Sequence, residues 1–170
     1  MNEKELIRLS RKGNKQAFAE LYGLYKDRLY RYAYYRLGNT YDAQDAVCDT
    51  VLCAYEQIGS LKKASAFSAW IFKIHYITCS RYITRQIEVK ENANLDDFEN
   101  SAKLSQELST LSIELIEGLN ILNEQEREIV LLSIIAGFKS KEISELTGLT
   151  DGAVRSKLSR SLAKMRNFLE

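Results

Sequence analysis

The chain has no proline, only eight glycines in 170 residues, and a single histidine. With no proline and few long β-branched runs, little interrupts helical periodicity, and an all-α fold is expected. No stretch approaches the roughly 20 consecutive apolar residues of a membrane span, and the N-terminus lacks an apolar signal core. A cytoplasmic protein with no membrane insertion is therefore expected. The three cysteines, Cys48, Cys53 and Cys79, form no CxxC pair, which argues against a disulfide framework or a zinc ribbon. His75 precedes Cys79 by one helical turn, and with Cys48 and Cys53 these make four candidate metal ligands. Helix packing is the simpler reading, because metal sites show closely paired ligands. One histidine and no Gly-rich phosphate loop leave no catalytic constellation, so no enzymatic activity, metal or other cofactor is expected.

The net charge of +1 hides a segregation. Met1–Arg85 carries 14 basic against 8 acidic residues, a net +6. Gln86–Glu126 carries 2 against 10, a net −8, and Arg127–Glu170 carries 8 against 5, a net +3. Two basic blocks around an acidic one point to two nucleic-acid-facing modules on a linker.

The C-terminal block spells its local structure most plainly. Ser140 is a candidate N-cap of a short helix, Gly148 suits its left-handed end, and Thr150 is a candidate N-cap of the next helix. Two short helices joined through one glycine form a helix-turn-helix pattern. In the second helix Val154, Leu158, Leu162, Met165 and Leu169 recur at three- and four-residue steps and make one apolar stripe. Gly152, Ser156, Ser159 and Arg160 point away from that stripe, with Arg155 and Lys157 on its flanks. Small residues early and cations later suit a helix that enters a major groove and grips phosphates. An amphipathic bundle helix with a solvated basic face is the alternative.

Four helical blocks are predicted upstream: about Asn2–Lys12, Gln16–Leu37, a third from Thr40 or Asp42 to Ile58, and Ser65–Arg85. Gln86–Lys103 mixes Asn, Asp, Glu and Ser and reads as a mobile acidic linker. Leu104–Leu122 regains helical spacing and opens a second domain, so the expected organisation is 1–85, 86–103 and 104–170.

In the third block Ala43, Val47, Thr50, Ala54 and Ile58 form an inner face. Asp42, Asp45, Asp49 and Glu56 lie opposite, with Leu52 among them. An acidic face with an apolar centre suits a basic partner helix, and a solvated acidic face is the competing reading. In the fourth block Phe67, Trp70, Ile71, Ile74 and Ile77 are predicted to face inward. Phe72, Lys73, Tyr76 and Ser80 are then outward, with Lys62 and Lys63 in the preceding loop. Rings interleaved with cations suit single-stranded DNA, since rings stack on bases and cations neutralise phosphates. Packing of Phe72 and Tyr76 on a neighbouring helix competes with that reading.

These strings resemble a known family. Ala17-Phe18-Ala19-Glu20-Leu21-Tyr22, Asp42-Ala43-Gln44-Asp45-Ala46-Val47-Cys48-Asp49-Thr50-Val51-Leu52 and Phe67-Ser68-Ala69-Trp70-Ile71-Phe72-Lys73-Ile74 are similar to region 2 of bacterial sigma factors. Leu122-Asn123-Glu124-Gln125-Glu126-Arg127-Glu128-Ile129-Val130-Leu131-Leu132, with the helix-turn-helix, resembles region 4. Having only these two regions is typical of the small extracytoplasmic-function group of the sigma-70 class. The resemblance implies a transcription initiation factor that binds core RNA polymerase, at the beta-prime clamp helices and the beta flap, and promoter DNA. The face of Asp42, Asp45, Asp49, Leu52 and Glu56 would dock on the clamp helices. Lys62, Lys63, Phe72, Lys73 and Tyr76 would recognise and open the −10 element. Ser140, Lys141, Arg155, Ser156, Lys157 and Arg160 would read the −35 duplex. The acidic linker would thread a basic channel, and an anti-sigma factor is a candidate partner. The chain departs from the family where an Ala-Arg-Asn run is usual: it has His75-Tyr76-Ile77, and Arg81 stands where an Asp is typical. Two other classes of function compete: a stand-alone helix-turn-helix regulator, and a sigma-like antagonist that occupies polymerase without melting DNA.

Overall fold

The computed structural model describes residues 1–92 and 110–170, and they divide into two compact units, Met1–Glu91 and Asn92–Glu170. Among the described residues the regular structure is helical throughout, as the sequence predicted.

In the first unit, α1 (Glu3–Arg11), α2 (Lys15–Leu37) and α3 (Thr40–Gln57) are each started by an asparagine. The side chains of Asn2, Asn14 and Asn39 accept from Glu5, Ala17 and Asp42 backbone N–H groups at 2.8, 3.0 and 2.8 Å. Each satisfies a donor that the first helical turn leaves orphaned. Gly38 ends α2 at φ 80°, a left-handed conformation that costs a glycine little. Two 3-10 turns, Ile58–Ser60 and Ala64–Ala66, lead into α4 (Phe67–Asn92).

The long α2 is the axis of this unit: Phe18, Leu21, Tyr25, Leu29 and Tyr32 are all buried, and α1 and α3 pack on it. Edge-to-face pairs, Tyr25 with Phe67 at 5.1 Å and Tyr32 with Phe72 at 6.2 Å, join α2 to α4. The inner face predicted for α3 is the buried one: Ala43, Val47, Thr50, Ala54 and Ile58 are 5% exposed or less.

The face predicted for α4 is corrected. Its buried residues are Phe67, Ile71, Phe72, His75, Thr78, Cys79 and Tyr82, while Trp70 and Ile74 are half-buried and Ile77 is 44% exposed. The predicted phase assigned only apolar residues to the interior. Burial of two hydrogen-bonded polar residues rotates the helix away from it. His75 Nε2 lies 2.7 Å from the Leu29 carbonyl oxygen and Nδ1 2.7 Å from Thr50 Oγ1. The carbonyl only accepts, so Nε2 donates to it, while Nδ1 and the Ala46 carbonyl, 2.8 Å from Thr50 Oγ1, share the single proton of that hydroxyl. Both ring nitrogens thus have a polar partner, which is the condition for burying the imidazole cheaply. Burial, reinforced by the Arg36 charge and opposed by the Leu29 hydrogen bond, lowers its pKa to about 4. Cys79 is buried beside this ring, whereas Cys48 is exposed. Among the described residues no three ligating side chains converge on a metal site.

One boundary also differs. α4 runs to Asn92, past the predicted end at Arg85, so the expected linker begins inside a helix. The Gln86 amide explains part of this extension, donating to the Leu37 carbonyl at 3.0 Å and to the Asp42 carboxylate at 2.7 Å. The remainder of that segment, 93–103, lies outside the described residues, as does the start of the next predicted helix at Leu104.

The second unit comprises α5 (Thr110–Asn120), α6 (Glu124–Ile134), α7 (Ser140–Thr147) and α8 (Asp151–Leu169). Asn123 and Glu126 form a capping box at the start of α6. Arg127 donates to the Leu119 and Leu122 carbonyls at 3.1 and 3.2 Å, closing the C-terminal end of α5. Leu119, Ile129, Val130, Leu132, Ile143, Val154 and Met165 make the core. Gly118 faces α8, where a Cβ would stand 3.4 Å from Met165 Cε.

Candidate functional site

Three surfaces carry the predicted functional side chains, two on the first unit and one on the second. On α3, Asp45, Asp49, Leu52 and Glu56 are exposed, Leu52 at 61%. Asp42 is half-buried and holds the Asn39 amide as well as Gln86, so it secures the end of α4 rather than standing free. Asp49 accepts from the Tyr82 hydroxyl at 2.6 Å. Burial first, and then this bond, pushes the phenol up to about 12. Sequence reasoning missed three neighbours. Tyr41 at 73%, the exposed Cys48 and Tyr55 at 38% fall with Leu52 on one line of α3, beside the acids. The signal was present in the spacing 41, 48, 52, 55, which keeps residues within about 60° at 100° per residue.

The second surface precedes and lines α4. Lys62, Lys63 and Lys73 are exposed. Phe72 is not: it is fully buried, packed against Tyr32 and His75 with the Arg28 guanidinium 5.0 Å from its ring centre. Its predicted stacking on a base is therefore withdrawn. Tyr76 is half-buried, and the Arg36 guanidinium lies 4.7 Å from its ring centre. Arg36 also donates to the Tyr76 carbonyl at 3.0 Å and to Ser80 Oγ at 2.9 Å, tying α2 to the middle of α4. One face of the Tyr76 ring is thus already taken. The exposed side of α4 is instead a row of Lys73, Ile77, Arg81 and Thr84.

The third surface is the helix-turn-helix, formed as predicted with one shift. Gly148 ends α7 at φ 77°, and Thr150 Oγ1 accepts from the Ala153 N–H at 3.1 Å at the start of α8. Ser144 Oγ donates to the Leu149 carbonyl and tightens the turn between them. The predicted cap at Ser140 is corrected: Lys139 is the cap residue and Ser140 the first helical one, half-buried. The Glu142 carboxylate reaches back to the Lys139 N–H at 3.1 Å, the half of a capping box that the third helical residue supplies.

Along α8, Val154 and Met165 are buried, Leu158 and Leu162 half-buried, and Leu169 is 48% exposed, so the inward stripe loosens at its end. Gly152, Arg155, Ser156, Ser159 and Arg160 are exposed and line one shallow depression, and Lys141 is exposed on α7. Arg155 sits 3.7 Å from Asp151 one turn earlier. Lys157 leans the other way: half-buried, it donates to Gln125 of α6 at 2.5 Å. Behind the surface, Glu126 is 8% exposed and accepts from Lys164 at 2.8 Å and from Ser161 at 3.4 Å. The Lys164 bond leads the causes that lower its pKa. This triad fixes α8 on α6 with every participant paired.

The chain matches Sigma-70 region 2 over residues 21–87 and Sigma-70, region 4 over residues 112–165. It is 29% identical to the ECF RNA polymerase sigma factor BldN of Streptomyces coelicolor, covering 97% of this chain and 65% of that one. It is 26% identical to the ECF RNA polymerase sigma factor SigW of Bacillus subtilis, covering 98% of this chain and 96% of that one. The sigma factor RpoE of Bartonella quintana, solved with the anti-sigma factor NepR, shares the fold with a TM-score of 0.67 at 20% identity, over 89% of this chain and 96% of that one.

Proposed function

From the premise that this chain belongs to the extracytoplasmic-function class of the sigma-70 family, promoter-specific transcription initiation factors, we propose how its two units divide the work. The α3 face docks the chain on the clamp helices of the core polymerase beta-prime subunit. Exposed Tyr41, Leu52 and Tyr55 supply apolar contact there, and Asp45, Asp49 and Glu56 steer a basic partner. The loop with Lys62 and Lys63, together with the outer row of α4, handles the opened −10 strand. Arg155, Ser156 and Arg160 of α8 enter the −35 major groove, with Lys141 at the backbone and the second unit against the beta flap. The acidic segment between the units follows a basic channel of the polymerase. The chain supplies specificity and leaves catalysis to the polymerase, in the cytoplasm. An anti-sigma factor would act by covering the α3 face.

The observation that carries this reading is the coexistence, in one chain, of an acidic and apolar helix face on one unit and a basic helix-turn-helix on the other. A stand-alone DNA-binding regulator has no use for the first, and a pure antagonist has no use for the second. The test is run-off transcription with core polymerase on a pool of randomised duplexes, followed by sequencing of the transcribed templates. Templates sharing two spaced elements are expected, and only when chain and core are both present. Asp45→Lys combined with Leu52→Lys should abolish co-elution with core at physiological salt and leave the melting temperature nearly unchanged. Retained co-elution, or transcripts with no shared element, would overturn the proposal.

A further inference from the structure

The outer row of α4 has a composition that its packing does not require. Lys73, Ile77 and Arg81 are each one turn apart and all exposed, with half-buried Trp70 and Ile74 alongside. At 100° per residue they lie within about 80° of one another. A single exposed isoleucine is unremarkable on a protein surface. Here, however, the isoleucine is 44% exposed while the helix buries a histidine and a threonine, and it is flanked by a cation one turn before and one turn after. The exposed Lys62 and Lys63 stand in the loop before the same helix, in a block whose net charge is +6. That charge selects a polyanion over an apolar protein groove as the occupant.

The side-chain chemistry narrows what such a row reads on nucleic acid. Lys73 and Arg81 bind phosphates, which carry no sequence information. Ile77 has neither a hydrogen-bonding group nor a π face. The one feature by which an aliphatic side chain distinguishes bases is the thymine methyl group. We infer that Ile77 is a specificity-determining residue for promoter opening, contacting the methyl group of a thymine in the unpaired strand while Lys73 and Arg81 hold the flanking phosphates. The inference rests on the assignment of the outer row of α4 to the opened −10 strand. It replaces stacking by Phe72, which the core has consumed, with apolar contact five residues further along α4.

Replacing thymine by uracil removes that methyl group and nothing else. The experiment uses holoenzyme, full chain plus core polymerase, on a promoter recovered from the randomised pool. Each thymine of the downstream element in the non-template strand is replaced in turn by deoxyuridine, and heparin-resistant open complexes are counted. One position should show a loss of about fourfold with the wild type, the worth of one buried carbon. Ile77→Ala should lower the thymine template to the uracil level and make the two equal, and Ile77→Val should restore part of the difference. Lys73→Ala and Arg81→Ala should weaken both templates alike and flatten the salt dependence. The inference is overturned if uracil is neutral at every position, if the loss persists unchanged in Ile77→Ala, or if the recovered downstream elements lack a shared thymine. Failure to recover any promoter would instead sink the initiation reading itself, so the two failures are distinct.

Discussion

Helices α4 and α8 carry the two surfaces proposed to face nucleic acid, and they bury polar groups in different ways. α4 places His75 and Thr78 within its packed face, with His75 bridging to the Leu29 carbonyl on α2 and to Thr50 on α3. α8 buries one polar residue, Ser161, whose partner Glu126 is itself held by Lys164 at the margin. The first arrangement makes three helices depend on one neutral ring. The second depends on a carboxylate staying charged. In each case the buried group is fully paired, which is what makes the interior tolerable. The difference lies in what is displaced. With His75 inside α4, Ile77 is left outside between two cations, whereas the depression on α8 is lined by Gly152, Arg155, Ser156, Ser159 and Arg160, with no large apolar side chain among them.

The sharpest way to break this comparison is to exchange neighbours on α4. Phe72→Ala deletes a fully buried ring wedged between Tyr32 and His75. It should cost the first unit about 3–5 kcal/mol, as large-to-small substitutions of core aromatics do. Lys73→Ala, the adjacent residue, should leave stability within about 0.5 kcal/mol, as exposed substitutions do, and lower open-complex formation instead. Trp70 is the only tryptophan, so its fluorescence reports unfolding of the first unit within the intact chain. Equal melting of the two variants by this signal would mean that Phe72 does not anchor the core.

Much of the fold can be read from the residues because polar and apolar positions segregate. Asn39 and Thr150 cap where expected or next to it, Gly148 ends α7, and the inner face of α3 is the one its spacing indicates. The reading fails where a polar residue is inside or a helix continues through polar sequence. The inner face predicted for α4 holds only apolar residues, so Ile77 is placed inside and the fully buried Phe72 outside. The stretch Glu88–Glu91 reads as linker, yet Gln86 pins the helix against Leu37 and Asp42, two contacts that are remote in sequence. Lys139 starts α7 without a capping side-chain bond of its own, and Glu142 holds its N–H from the first turn. Of the candidate residues, the exposure of those on α8 follows a simple stripe, Lys157 with its bond to Gln125 excepted. The exposure of those on α4 does not, because the stripe rotates with the histidine.

The two buried arrangements should also part on acidification. His75 is lowered from 6.5 to about 4, so its neutral form is the one the fold holds. Its contribution is complete above pH 6.5 and is lost as pH falls through about 4, because the unfolded chain takes up the proton first. The full loss is about 3 kcal/mol, at 1.36 kcal/mol per unit. Glu126 is lowered from 4.5, so its contribution is complete above 4.5 and disappears only as pH falls through its depressed folded value. Thermal melts between pH 7 and 4.5 should therefore lower the transition seen by Trp70 fluorescence while the helix signal of the second unit holds. His75→Gln should flatten that slope. A second unit that weakens first would reverse the assignment.

The smallest effects test the orientation of α8 itself, where two cations two residues apart point to different places. Arg155 is exposed beside the depression lined by Gly152, Ser156, Ser159 and Arg160, and the nearby Asp151 restrains its guanidinium. Lys157 is turned to Gln125 on α6. A base-reading arginine is worth about 1–3 kcal/mol and governs one position of the site. Arg155→Ala should therefore relax the upstream element at one base pair and leave the others unchanged. Lys157→Ala removes a cation that faces the protein, so it should leave both the sequence preference and the salt slope close to wild type. Binding of holoenzyme to upstream-element variants, measured at two salt concentrations, reads both quantities together. If Lys157→Ala lowers the slope by about one unit, as loss of a phosphate contact does, then Lys157 leaves Gln125 for the DNA and the recognition face is wider than the free chain presents.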